Sequence, residues 1–219
     1  LRSELHRNIE IEEFEKAAFA LEVDEVSDEQ QSKKSEDGQN TTEQTIKDLN
    51  IFDWSERKVL DADHVYYLAL GDSLTRGIGD ETNSFGFTGL LANEIEKSPN
   101  VLSVELDNRG KNGRRSDQLL KLLENGYYNE ELKKASFITI SIGGNDVMKI
   151  VKNNLFTMTK TMFDKELPRF NERYEQVIAE IREINTDAPI ILVGFYNPFS
   201  IVVDEITPFD PIINEWNSS

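Results

Sequence analysis

From residue 64 onwards the chain alternates short apolar runs with longer stretches in which apolar side chains recur every three or four positions. The first run, residues 65–70, reads Val-Tyr-Tyr-Leu-Ala-Leu and closes on Gly71, the pattern of a buried strand ended by a sharp turn. Phe87, Leu90, Leu91 and Ile95 then fall on one face of a helix that Pro99 and Asn100 close. A second strand is expected over 101–106, followed by a polar, glycine-containing loop over 107–113. Ser116 stands where it can cap the next helix, whose Leu119, Leu120, Leu122 and Leu123 face inward and whose stop is Gly126. Residues 137–142 form a third strand, cut off by Gly143 and Gly144, and two helices follow over 146–163 and 166–185. In the second of these, Phe170, Tyr174, Val177, Ile178, Ile181 and Ile184 make a continuous apolar stripe. A fourth strand over 189–195 leads to Tyr196-Asn197-Pro198, and Asp210 caps a last helix beginning at Pro211.

Near-continuous apolar strands joined by helices pair in parallel through right-handed crossovers. The expected fold class is therefore α/β, a three-layer α/β/α sandwich. No local pattern encodes the order of its strands.

Residues 1–63 read differently. Leu5, Ile9, Phe14, Ala17, Ala18 and Leu21 recur at roughly helical spacing, so an amphipathic helix is expected over the first twenty residues. Residues 24–45 are too polar to offset their ordering entropy and read as a linker. Residues 46–54 form a short apolar return against the flank of a domain that occupies 64–219.

Charge narrows the partners. There are 18 acidic against 8 basic residues over 1–63 and 23 against 16 over 64–219, for a net charge of −17. An acidic surface repels nucleic acid and anionic membranes, so neither is an expected partner. No run approaches the roughly 20 apolar residues of a membrane helix, and no stable membrane span is expected in this segment. The chain opens with Leu1 rather than methionine, which leaves an upstream anchor or export signal, and an extracytoplasmic location, open. The absence of cysteine removes disulfides, thiolate catalysis and cysteine metal sites.

The candidate chemistry lies at the strand ends. Parallel strands point the same way, so the turns after the first three emerge on one edge of the sheet, where α/β proteins bind ligands. Those turns carry Ser73, Gly110 and Asn145. Acyl transfer by a hydroxyl needs a nucleophile and, about 3 Å from the oxyanion that develops, preorganised donors. Ser73 supplies the hydroxyl. The N–H beside a glycine, the Asn145 carboxamide and the Ser73 N–H are possible donors. Each signal alone has a plainer reading, with Asp72 capping its own turn, Gly110 and Gly113 as turn glycines, and Asn145 as a helix N-cap. Their joint placement after three successive strands favours the chemistry.

These residues resemble the motifs of the SGNH hydrolases, also called GDSL esterases and lipases. Gly71-Asp72-Ser73-Leu74 is similar to the first motif, Asn108-Arg109-Gly110 to the second and Gly143-Gly144-Asn145-Asp146 to the third, over roughly residues 64–200. The resemblance implies a flavodoxin-like parallel sheet and a serine esterase that uses no metal and no cofactor. Its substrates would be small-molecule esters, whether lipid, acetylated carbohydrate, thioester or other acyl compounds. It implies Ser73 as nucleophile, with Gly110 and Asn145 in the oxyanion hole.

The family also draws its base and orienting acid from one Asp-x-x-His motif near its C-terminus, and no such motif follows Ser73 in this sequence. Of the two histidines, His6 lies far outside the domain, and His64 begins the strand that ends near Ser73, roughly 20 Å or more away at about 3.3 Å per residue. Two expectations follow. Either the domain is C-terminally incomplete, lacking its last strand and the base-bearing loop, or it is a non-catalytic cleft protein binding glycan or lipid. The chain stops within a helix and a fifth strand is missing as well, which favours the first.

Other constellations are weaker. Asp72, Asp117 and Asp146 are of a type that holds a hard cation, but the last two sit in first helical turns, where acids complement the helix dipole. Arg76, Arg109, Arg114 and Arg115 lie on the proposed edge, either meeting an anionic substrate group or simply solvated. Met148, Phe156, Met158, Met162 and Phe163 line an acyl groove or form core. The glycine turn after the first strand has neither a Gly-Lys-Ser/Thr ending nor a Gly-x-Gly-x-x-Gly pattern, so a nucleotide site fits poorly.

Overall fold

A computed structural model describes residues 63–154, 157–194 and 209–219. The N-terminal helix and linker expected over 1–63, His6 among them, Phe156 and the turn at Tyr196-Asn197-Pro198 fall outside these, apart from Asp63. In chain order the elements are β1 (His64–Gly71), α1 (Ser73–Arg76), α2 (Gly86–Glu96), β2 (Ser103–Gly110), α3 (Ser116–Glu124) and α4 (Asn129–Lys134), then β3 (Phe137–Ser141), α5 (Gly144–Asn153), α6 (Lys160–Ile184), β4 (Ile190–Leu192) and α7 (Asp210–Ser218). The described residues group into a sheet unit, 63–142 with 173–193, and a helical unit, 143–172 with the described part of 194–219.

In the sheet unit all pairings are parallel and the strand order is β2-β1-β3-β4. β1 is central, and Tyr67, Leu68, Ala69 and Leu70 are fully buried, because both of its faces are covered. Leu68, Leu70, Ile138 and Ile140 pack under Leu119 and Leu123 of α3, Leu132 of α4 and Val177 and Ile181 of α6. Val65, Tyr67, Ala69 and Phe137 pack on the opposite face against Ala92 and Ile95 of α2. The expected three layers are thus present. Within them the Tyr67 and Phe137 rings meet edge to face at 5.1 Å. The Tyr67 hydroxyl pairs with Thr139 Oγ1 at 2.8 Å, and burial pushes its pKa up to about 12.

Register sets the site. Gly71 pairs with Gly110 on one side and with Ser141 on the other, so the carboxyl ends of three adjacent strands are level. Because the chain leaves β1 first for one side and then for the other, the crevice between β1 and β3 is a topological switch point, the usual ligand position in such sheets.

β2 departs from the expected 101–106. It runs on through Asp107, Asn108, Arg109 and Gly110, which the hydropathy pattern places in a loop. Those polar residues hold a strand because each finds partners there. Asp107 accepts from the Tyr66 hydroxyl and pairs with Arg109, and Arg109 also reaches Glu131 on α4 at 2.9 Å. Strand alternation then directs Asn108 and Gly110 to the opposite face. Ser116 is likewise the first residue of α3 rather than its cap. Arg115 takes the N-cap position, and the buried Ser116 hydroxyl accepts from Arg173 Nε at 2.8 Å.

At the carboxyl end of α4 the Asn185 carboxamide ties α4 to the turn after α6. Its amide donates to the carbonyls of Leu132 and Ala135, and its oxygen accepts from the N–H groups of Asp187 and Ala188.

The helical unit holds α5, residues 160–172 of α6, and α7. α6 begins before Pro168 and passes through it, where a start near 166 was expected. An internal proline costs about 3 kcal/mol. Burial of Phe163, Leu167 and Phe170 along one stripe offsets this, with Phe163 against Phe209 and Phe170 against Trp216. Met158 and Phe163 are buried there and form core. α7 starts at Asp210 with Phe209, not Asp210, as its N-cap residue.

Candidate active site

Ser73 leads α1, two residues past the end of β1, and is half-buried. The turn that presents it is pinned at several points. The Asp72 N–H donates to the Ser141 carbonyl at 3.1 Å, which ties the turn to β3. The buried Asp72 carboxylate accepts the Leu74 N–H at 3.0 Å and so caps α1, as expected of an aspartate in this turn. Below it the Thr75 hydroxyl donates to the Leu70 carbonyl at 3.3 Å. Among the described residues, Ser73 Oγ makes no hydrogen bond. His64 lies at the opposite end of β1, where its Nδ1 pairs with Ser103 Oγ at 2.7 Å.

Gly110 ends β2 directly against α1. A methyl group on its Cα would stand 2.3 Å from the Arg76 nitrogen and 2.8 Å from the Thr75 carbonyl carbon, so only glycine permits this approach. Its N–H donates to Asn108 Oδ1 at 3.0 Å. The Asn108 amide in turn donates to the Thr75 carbonyl and, at 2.9 Å, to Thr88 Oγ1 on α2. One carboxamide therefore joins β2, α1 and α2 beside the serine. Sequence reading marks Asn108 as a motif residue without a role. Its place two residues before Gly110, on the same strand face, was the available signal.

Arg114 is the other residue whose role only the fold reveals. It is 8% exposed, and its Nη1 donates to the carbonyls of Arg109 at 2.7 Å and Gly71 at 3.3 Å, clamping the ends of β2 and β1 together. Tyr128 lies beside it; burial raises the tyrosine pKa, and the guanidinium opposes that shift. The remaining arginines of this edge divide by their partners. Arg109 is held by Asp107 and Glu131, and Arg115 by Asp117, whereas Arg76 is exposed.

Tyr174 of α6 is buried close enough to Asp72 that desolvation, and after it the carboxylate charge, hold its hydroxyl protonated far above the usual range. Ser141 Oγ, level with Gly71, is buried and has no hydrogen-bond partner among the described residues.

The loop between α1 and α2 is organised by one side chain. The Asp80 carboxylate accepts from the Thr82 N–H and hydroxyl at 2.9 and 2.6 Å and from the N–H groups of Ser84 and Gly86 at 2.7 and 2.9 Å. These bonds, led by the Thr82 hydroxyl, pull its pKa down to about 2.

Ser73 and Gly110 are thus brought to one end of the sheet unit. Asn145 belongs to the helical unit, as the second residue of α5, four positions after the last residue of β3. It is not the N-cap of that helix, a place taken by Gly143.

A doubly wound parallel α/β sheet with a hydroxyl on the turn leaving its central strand is the class these features define. Residues 69–219 match the model of the GDSL-like lipase/acylhydrolase family, and the chain belongs to that family. It is 36% identical over 155 residues to the uncharacterized protein YpmR of Bacillus subtilis, covering 71% of this chain and 60% of YpmR. It is 31% identical over 137 residues to the spore germination lipase LipC of Bacillus licheniformis, covering 61% of this chain and 64% of LipC. The chain therefore spans less than two thirds of the length of these curated relatives. Among solved structures, the lipase Lip_vut3 from a goat rumen metagenome superposes with a TM-score of 0.59 at 28% identity, over 70% of this chain and 71% of that one.

Proposed function

We propose that this chain carries the nucleophile half of a serine ester hydrolase acting on small-molecule carboxylic esters. Ser73 attacks the acyl carbon and the N–H groups of Ser73 and Gly110 stabilise the oxyanion, a role that the family resemblance also gives to the Asn145 carboxamide. The observation that supports this most is the fixed turn at Ser73, pinned to β1, β2 and β3, with Gly110 packed against its helix. The Gly110 N–H already has an acceptor, the neutral Asn108 oxygen. A developing oxyanion is a stronger acceptor than an amide oxygen and can compete for that donor.

Ser73 also needs a base, and neither histidine of the sequence serves in this reading: His64 is engaged at the far end of β1 and His6 precedes the domain. By resemblance the base comes with an Asp-x-x-His segment C-terminal to the nucleophile, and no histidine follows Ser73 in these 219 residues. The 219-residue chain is therefore expected to turn over 4-nitrophenyl esters little or not at all, and a chain extended to include such a segment to do so readily. Labelling of the extended chain with a fluorophosphonate, lost in Ser73→Ala, is the expected result. A chain with the segment in place that neither labels nor hydrolyses would refute the reading and leave a binding cleft on the same scaffold.

A further inference from the structure

Two exposed cations flank Ser73 in a chain that is otherwise acidic. The protein has a net charge of −17. At the carboxyl end of β1 and β2 some acids are paired with arginine and others are not. Asp107 and Glu131 are met by Arg109 and Asp117 by Arg115, whereas Asp72 and Asp80 are held by N–H and hydroxyl donors and Glu81 is exposed. Arg76 and Lys111 remain, both exposed and, among the described residues, without an ion pair or side-chain hydrogen bond.

Both flank the nucleophile. Arg76 follows Ser73 by three residues on α1, the spacing that brings two side chains to one helical face. Its backbone is the surface on which Gly110 packs. Lys111 follows Gly110, and its N–H donates to the Gly71 carbonyl at 3.1 Å, which fixes its backbone at the end of β1.

We infer that the site selects esters bearing an anionic oxygen group, a carboxylate or a phosphate, within about one side-chain length of the scissile carbonyl. This rests on Ser73 being the nucleophile. The acidic remainder of the surface repels such a substrate at long range, and salt screens both effects, so recognition depends on the two local cations.

The test uses the extended, active chain and two matched pairs of esters. One pair, 4-nitrophenyl hemiglutarate against 4-nitrophenyl valerate, places the charge on the acyl side. The other, a short-chain monoacylglycerol phosphate against the monoacylglycerol, places a phosphate on the alcohol side. The readout is the ratio of kcat/KM for the anionic over the neutral member, which does not depend on the fraction of enzyme folded. At least one pair is expected to favour the anion. That ratio should fall about threefold in Arg76→Gln or Lys111→Gln, fall nearly tenfold in the double variant, and hold in Arg76→Lys. It should also shrink between low salt and 0.5 M salt. No anionic preference in either pair, or a preference indifferent to both substitutions and to salt, overturns the inference and leaves the hydrolase reading standing. No Ser73-dependent turnover of any of the four esters overturns both.

Discussion

Replacing Gly110 by alanine tests the geometry on which the candidate site depends. The new methyl would stand 2.3 Å from the Arg76 nitrogen, 2.7 Å from the Arg76 Cα and 2.8 Å from the Thr75 carbonyl carbon, distances that real Cβ atoms essentially never show. All three are backbone atoms, so no rotamer change relieves the clash. α1 must move by about 1 Å, against the Asp72 cap, the Thr75 bond to Leu70 and the Asn108 bond to the Thr75 carbonyl. Overpacking of this kind costs about 1–3 kcal/mol. With a urea slope of about 2 kcal/mol/M the denaturation midpoint should drop by about 0.5–1.5 M. Displacement of a nucleophile by about 1 Å costs on the order of 100-fold in rate, so fluorophosphonate labelling of the extended chain should slow at least tenfold. Gly113→Ala in the same segment is the control. That residue has φ +72° and no atom within 4 Å of an added methyl, so it incurs only left-handed backbone strain of about 1–2 kcal/mol and leaves labelling of the folded protein within twofold. If Gly110→Ala labels as fast as the parent chain, the close contact between β2 and α1 does not position Ser73.

Two further outcomes follow from the same contacts. Arg114→Met removes the clamp on the Gly71 and Arg109 carbonyls; it is expected to cost about 2–4 kcal/mol in urea denaturation, and Arg114→Lys, which keeps a donor, should recover part of that loss. Asp80 has its folded pKa depressed from 3.8 to about 2, so its contribution to stability is fully present above pH 4 and is lost as pH falls from 4 towards 2. The difference in urea midpoint between the parent chain and Asp80→Asn should accordingly be constant from pH 7 to 5 and shrink below pH 4, and a difference that stays constant down to pH 2 would contradict the hydrogen bonding described.

Much of the fold was legible because burial writes itself into hydropathy. β1 and β3 are covered on both faces and read as apolar runs, and the inward faces of α2, α3 and the later part of α6 read at helical spacing. What stayed hidden depends on partners distant in sequence. Residues 107–110 look like a loop until Tyr66, Glu131 and Thr75 supply their bonds, and the four-residue α1 and six-residue α4 are too short for a period to show. Pro168 argues for a break that the packing of Phe163 and Phe170 overrides. At the site, Ser73 was visible as a hydroxyl after a glycine-ended strand. The bracket made by Asn108 and the clamp made by Arg114 were not, since each acts through main-chain groups that only folding brings within reach.

The Asp80 carboxylate has an implication for how this protein can change. With four donors gathered on one pair of oxygens, the path of the segment leading from α1 to α2 is dictated from a single position. Its outward residues Ile78 and Glu81 are left exposed and take little part in holding that path. Divergence can therefore rewrite the surface next to the serine one side chain at a time while the backbone keeps its course, a division of labour that lets specificity drift without putting the fold at risk.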